Sequence, residues 1–249
     1  MSTEYEKGLE AYQSENFETA LEHWTVEAKQ GDAKAQCKLG YMYKHGKGTL
    51  PDYKIAAMWY TKSAQQGEIL AQYKLALMYD NHQGVVDSDT AAVKWYTEAA
   101  EQGHGLAQYN LGVKYDSGEG VPENNEAAVK WYTKAAEQGI ANAQYNLALM
   151  YDNGEGVLKD NKEAVKWFTI AAKKGYADAQ SSLAAMYEYG EGVLTDYVRA
   201  YMWYNIAAYH DREGDAELKE KVSKKMTRHQ IAKAQEMSAR CVDSDYEDC

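Results

Sequence analysis

The chain has 249 residues, 45% hydrophobic and 26% charged, which is the balance of a folded polypeptide and not of a disordered or fibrous one. A formal net charge of −11 disfavours nonspecific nucleic-acid or anionic-membrane binding, because both need a positive field. With 22 tyrosines and 6 tryptophans against 2 phenylalanines and only 2 prolines, the composition favours helices whose aromatics keep one polar edge.

The opening Met1-Ser2-Thr3-Glu4-Tyr5-Glu6 lacks the basic and apolar regions of a secretory signal, and no run of 18 or more apolar residues follows. The chain as given therefore reads as cytoplasmic, with no membrane insertion. A chain from which a leader had been removed would look the same and would be periplasmic or secreted.

Residues 3–31 read as a degenerate helix pair, with His23 where later units carry Trp and Trp24 beside it. Such an altered unit suits an N-terminal cap. From 32 to 210 one period runs without slip. Ala35-Gln36, Ala71-Gln72, Ala107-Gln108, Ala143-Gln144 and Ala179-Gln180 stand 36 residues apart, each followed by Leu39, Leu75, Leu111, Leu147 or Leu183. Two glycine sets keep the step, Gly31 to Gly175 and Gly48 to Gly192, and predict the ends of two helices in each of five units.

In the clearest unit, Ala107, Gln108, Leu111, Gly112 and Tyr115 share one face of the first predicted helix. Ala128, Trp131, Tyr132, Ala135 and Ala136 form the matching stripe of the second. A tryptophan ladder continues through Trp59, Trp95, Trp131, Trp167 and Trp203. Helices this short are marginal alone, so stacking is obligatory. The expected fold is all-α: a right-handed superhelical solenoid of tandem 36-residue antiparallel helix pairs, one continuous domain and a monomer.

Residues 211–240 break the period and predict C-terminal capping helices, the second opened by a Thr227–Gln230 capping box. The last nine residues, 241–249, hold four acids and no base and read as a disordered tail. Three scattered cysteines, Cys37, Cys241 and Cys249, read as unpaired thiols; a Cys241–Cys249 bridge would belong to an oxidising compartment.

No motif predicts a metal, a cofactor or a catalytic residue. Gly118-Glu119-Gly120 lacks a third glycine and a preceding strand, and its glutamate would repel phosphate. Asp116-Ser117-Gly118 and Asp152-Asn153-Gly154 miss the EF-hand ligand order. His23, His45, His82, His104, His210 and His229 have no nucleophile at catalytic spacing and read as solvated.

The phrases Ala143-Gln144-Tyr145-Asn146-Leu147, Tyr151-Asp152-Asn153-Gly154-Glu155-Gly156-Val157 and Ala164-Val165-Lys166-Trp167 resemble the Sel-one-like repeat family, a relative of tetratricopeptide repeats. The resemblance implies an adaptor that assembles complexes through the inner surface of a superhelix. One cysteine-rich branch is linked to penicillin binding, which leaves a hydrolase of that sort as a distant alternative; its paired cysteines are missing here. Self-association is the alternative from another class.

Leu106, Tyr109, Val113 and Asp116 flank the core stripe at i, i+3, i+7 and i+10, a face that points inward in tetratricopeptide-like superhelices. Across units this gives a tyrosine row of Tyr73, Tyr109 and Tyr145 and an acidic row of Asp80, Asp116, Asp152 and Glu188, departing from pattern at Cys37, Lys44 and Ser181. Two readings stay open. Either the rows pack between neighbouring helices and record duplication, or they line a concave groove for an extended basic segment of a partner protein.

Overall fold

The structure is a computed structural model and describes residues 3–86, 88–209 and 214–249; His210 and residues 211–213 of the expected C-terminal cap lie outside them, as do Met1 and Ser2. Among the described residues there are fourteen helices and no strand. Helices α1 (Glu4–Gln13) and α2 (Phe17–Lys29) precede the repeats, whose first helices are α3 (Ala33–His45), α5 (Ile69–Asp80), α7 (Gly105–Ser117), α9 (Ala141–Asn153) and α11 (Ala177–Tyr189). The second helices are α4 (Tyr53–Gln65), α6 (Asp89–Glu101), α8 (Asn125–Glu137), α10 (Asn161–Ala172) and α12 (Tyr197–Tyr209). Then come α13 (Asp215–Ser223) and α14 (Arg228–Asp243). The chain forms two compact units, Met1–Glu123 and Asn124–Cys249, where one continuous domain was expected; the division falls between the two helices of the third repeat.

Each second helix from α2 to α10 starts on a side chain that accepts a first-turn N–H: Asn16, Asp52, Ser88, Asn124 and Asp160. Its C-terminal carbonyls are met by the repeat glutamines. Gln36, Gln72, Gln108, Gln144 and Gln180 each donate through Nε2 to the carbonyl of Ala28, Ala64, Ala100, Ala136 or Ala172, at 2.9–3.3 Å. The glutamine of the Ala-Gln signature is therefore a buried second donor at the end of the preceding helix, joining the N–H of Gly31, Gly67, Gly103, Gly139 or Gly175 at the same carbonyl.

The stripe Ala128, Trp131, Tyr132, Ala135 and Ala136 is buried as a set. On α7 the expected face is buried except for half-buried Tyr115, and Lys114 joins it. Within the five repeats the deepest aromatics stand one position after the ladder tryptophans: Tyr60, Tyr96, Tyr132, Phe168 and Tyr204 are out of water, as is Trp24 in the same register before them. The ladder indoles of the repeats are shallower. Trp95 and Trp167 are only half-buried, with the ammoniums of Lys94 and Lys166 5.0 and 5.5 Å from their ring centroids.

The second glycine set does not end the first helices. Those of α3, α7, α9 and α11 close on Gly46, Gly118, Gly154 and Gly190, two residues earlier, in the left-handed conformation. Gly120 has another task. A Cβ there would lie 2.5 Å from the backbone carbonyl of Asp89, at the start of α6, so glycine permits the loop after one first helix to lie against the preceding second helix.

The expected disordered tail is folded. Helix α14 runs to Asp243, Cys241 is fully buried against α12, and Cys241 is bonded to Cys249, correcting the reading of these two cysteines as unpaired. Tyr246 and Cys249 pack on the same apolar cluster, so apolar anchors hold the segment despite its acids. Cys37 is free and buried.

Candidate interaction face

The predicted tyrosine row faces its neighbours as much as solvent. Tyr73 is buried, its ring 4.4 Å from the His104 ring of the next first helix and 6.2 Å from Tyr96. Half-buried Tyr145 repeats the arrangement with Tyr176 at 5.2 Å and Phe168 at 5.8 Å. Tyr109 and Val113 are half-buried, and Leu106 is 44% exposed. Burial raises the Tyr73 phenol above its ordinary value.

The acidic row is largely engaged within the chain. Tyr96 donates its hydroxyl to Asp80 at 2.6 Å, and Lys114 approaches the other carboxylate oxygen at 2.8 Å. Glu188 is buried, taking the Tyr204 hydroxyl at 3.3 Å and the Lys225 ammonium at 2.9 Å. Asp152 is looser, 3.9 Å from Lys159, while Asp116 is half-buried. A carboxylate at this register is thus an acceptor for the tyrosine sixteen residues on in the second helix, at both Asp80 and Glu188.

Histidines expected to be solvated have partners. His104 caps α7, accepting the Ala107 N–H at Nδ1 (3.1 Å), and burial lowers its pKa. His23 Nδ1 meets Glu4 at 2.6 Å, and the His45 ring lies 4.3 Å from Tyr41.

The Sel1 repeat model matches residues 33–68, 69–104, 105–140, 141–176 and 177–211, the same five units. The chain belongs to the Sel1 repeat family. A Sel1 repeat protein from Oxalobacter formigenes is 33% identical over 94% of this chain and 97% of its own, with a TM-score of 0.79. A protective antigen of uropathogenic Escherichia coli with the same repeat fold is 29% identical over 98% of this chain and 69% of its own, with a TM-score of 0.41. Cysteine-rich protein B of Helicobacter pylori is 26% identical over 52% of this chain and 92% of its own, with a TM-score of 0.42. No curated protein matches the chain.

Sel1 repeat proteins are generally protein-interaction scaffolds, and no described helix here is long and apolar enough to cross a membrane. Two features of the Sel1 units escaped the sequence reading. Leu50, Val86, Leu158 and Leu194 occupy one loop register and are each more than four-fifths exposed, a recurrence visible in the 36-residue step but hidden by attention to the helices. Lys114 stands in a column otherwise of Met42, Met78, Met150 and Met186, and that break in the column was its signal.

Proposed function

We propose that this Sel1 repeat chain is an adaptor that holds a segment of a partner protein against the exposed face of its first helices. The observation that carries the reading is the pair Leu70 and Leu106. These leucines share a register on successive first helices and stay 43% and 44% exposed, while Asp80 and Lys114, farther along the same two helices, are paired with each other. Apolar side chains outside the core, beside rigid tyrosines, give a partner contact area at low entropic cost. Asp80 and Glu188 already hold lysines, so a regular array of free carboxylates for a basic segment is not what supports this reading. Burial, followed by the charge of Glu68, pushes the Cys37 thiol up to about 12, so this side chain is not a poised nucleophile.

Self-association is disfavoured by the packing at the chain's ends, where α2 lies on α3, and α13 and α14 on α12, burying Val222 and Ala234. Photo-crosslinking residues placed at Leu70 and Leu106, at Leu158 in the loop row and at Met58 on a second helix test the face. Capture of one partner from Leu70 and Leu106 is expected. Capture from Leu158 or Met58 alone would move the site elsewhere, and cross-linking of the chain to itself would favour self-association.

A further inference from the structure

The tyrosine row breaks at both ends of the repeats, and the two breaks differ. Ser181 replaces the ring in the last repeat and donates to Asp215 of α13 at 2.6 Å, so a helix of the chain itself occupies the space. Cys37 replaces it in the first repeat, where a cavity of about 290 Å³ remains, lined by Tyr12, Cys37, Lys38, Tyr41, Tyr60, Leu70 and Lys74. One repeat later the equivalent place is filled: the Tyr73 ring lies against Tyr96, the counterpart of Tyr60, and stacks on His104, whose counterpart Glu68 offers no ring. The cavity is the slot of a missing aromatic side chain.

Its rim is positive in an otherwise acidic chain. Lys38 and Lys74 line it, and Lys44 stands where later repeats carry the acids Asp80, Asp116, Asp152 and Glu188. All three are half-buried, and burial, then Lys74, lowers the pKa of Lys44. The ion pairs of this unit among the described residues are Lys7–Glu4, His23–Glu4, Lys114–Asp80 and Lys114–Glu119; none uses these lysines. Glu68 is the one carboxylate acting on Cys37, and Lys38 and Lys74 oppose it.

We propose that this pocket takes a phenylalanine or tyrosine side chain presented by an acidic segment of the partner protein. The ring enters between Tyr60, Tyr41 and Leu70 and completes the tyrosine row. Carboxylates flanking it on the partner meet Lys38 and Lys74, whose ammoniums lie 5.7 Å from the Trp24 ring centroid and 5.4 Å from that of Tyr73 and make no ion pair among the described residues. A basic segment would meet the Lys38 and Lys74 ammoniums at the rim, with Lys44 near enough to Lys74 to feel its charge. The proposal rests on the adaptor reading above and gives it a partner chemistry.

The test is fluorescence anisotropy on the full chain, with a labelled peptide of Asp and Glu around one central Phe. Controls carry Ala for the Phe, or Lys for the acids. Cys37→Tyr restores the residue of the next three repeats, so it fills the slot while keeping the fold, which a thermal melt checks. We expect Cys37→Tyr, the Ala peptide and Lys74→Glu each to weaken binding about tenfold or more, as loss of a buried anchor or of its charge partner does. Cys37→Ala keeps the affinity. Equal binding by wild type and Cys37→Tyr, or tighter binding of the Lys peptide, overturns the pocket. The two readings separate in the cross-linking assay. Partner capture from Leu106 that persists when the peptide fails the Cys37→Tyr test leaves the face standing without the pocket; absence of capture from Leu70 and Leu106 removes the face itself.

Discussion

The Lys114 ammonium lies 2.8 Å from Asp80, one repeat earlier, and 2.9 Å from Glu119 in its own loop. Burial alone would lower its pKa, but the hydrogen bonds to Asp80 and Glu119 outweigh it and hold the group above the ordinary lysine value. That stabilisation is fully present below the ordinary value of 10.5 and is lost only as pH rises through the folded one, so it acts at neutral pH. Lys114→Ala should destabilise by about 1–3 kcal/mol, because it leaves Asp80 with less compensation. Lys114→Met, which restores the column of Met78 and Met150, should cost less than Lys114→Ala. Urea titrations rank the two; equal losses would mean that the ion pair, not the packing of the side-chain stem, sets the cost.

The same pair marks where the sequence was legible. Periodicity placed the helix pairs and the stripe on α8, because apolar side chains repeat with the helix and each stripe must be buried. It could not assign Asp80, since an acid near a helix end reads equally as solvated or as ligand-binding, and its partners, Tyr96 and Lys114, lie 16 and 34 residues away. The glycine sets marked the right loops, but telling Gly118 from Gly120 needs the backbone of Asp89, which only the fold brings near. The tail was read from its charge. What holds it is Cys241 in the core, a matter of packing and not of composition.

His104 makes stability sensitive to acid. Its pKa is lowered from 6.5, first by burial and then by Lys74, and Nδ1 accepts the Ala107 N–H only when unprotonated. The unfolded chain binds the proton more readily, so stability is retained above 6.5 and lost as pH falls from there through the folded value. His45 is shifted in the same direction and adds to the loss. Thermal melts from neutral pH down to about 5 should show a steeper decline for wild type than for His104→Asn, which keeps a capping acceptor without a proton to gain. Parallel declines would assign the sensitivity to other groups.

The two glycine tasks separate by substitution. Gly67 has φ +87° with nothing within 4 Å of an added Cβ, so Gly67→Ala should cost only the left-handed conformation, about 1 kcal/mol. Gly120 has φ +71° and the Asp89 carbonyl 2.5 Å from the same position, so Gly120→Ala must also push a loop off α6. Its cost should be at least twice as large, about 2–4 kcal/mol. Chemical denaturation measures both, and similar midpoints would show that Gly120 serves conformation alone.

The Cys241–Cys249 bond closes the C-terminal turn onto α12. Cys241 is fully buried, Ser238 one turn earlier donates to the Met202 carbonyl at 3.3 Å, and Lys173 reaches the Glu247 carbonyl at 3.4 Å. Cross-linking a short loop removes freedom mainly from the unfolded chain, and for a closure of this length the entropic estimate is about 2–3 kcal/mol. Some of that returns on reduction, because Cys241 still packs as a small apolar side chain when its partner is released. Reduction should therefore lower the stability of the Asn124–Cys249 unit by about 1–3 kcal/mol, without unfolding α14. Hydrogen exchange should report the loss as faster exchange after Asp243 and in the last turn of α14, with the amides around Ala234 still protected. The Met1–Glu123 unit supplies the control, since its one cysteine, Cys37, is buried as a free thiol in both states. Uniform deprotection of α14 on reduction would instead make the bond the main anchor of the helix, and unchanged exchange would mean that packing alone holds the turn.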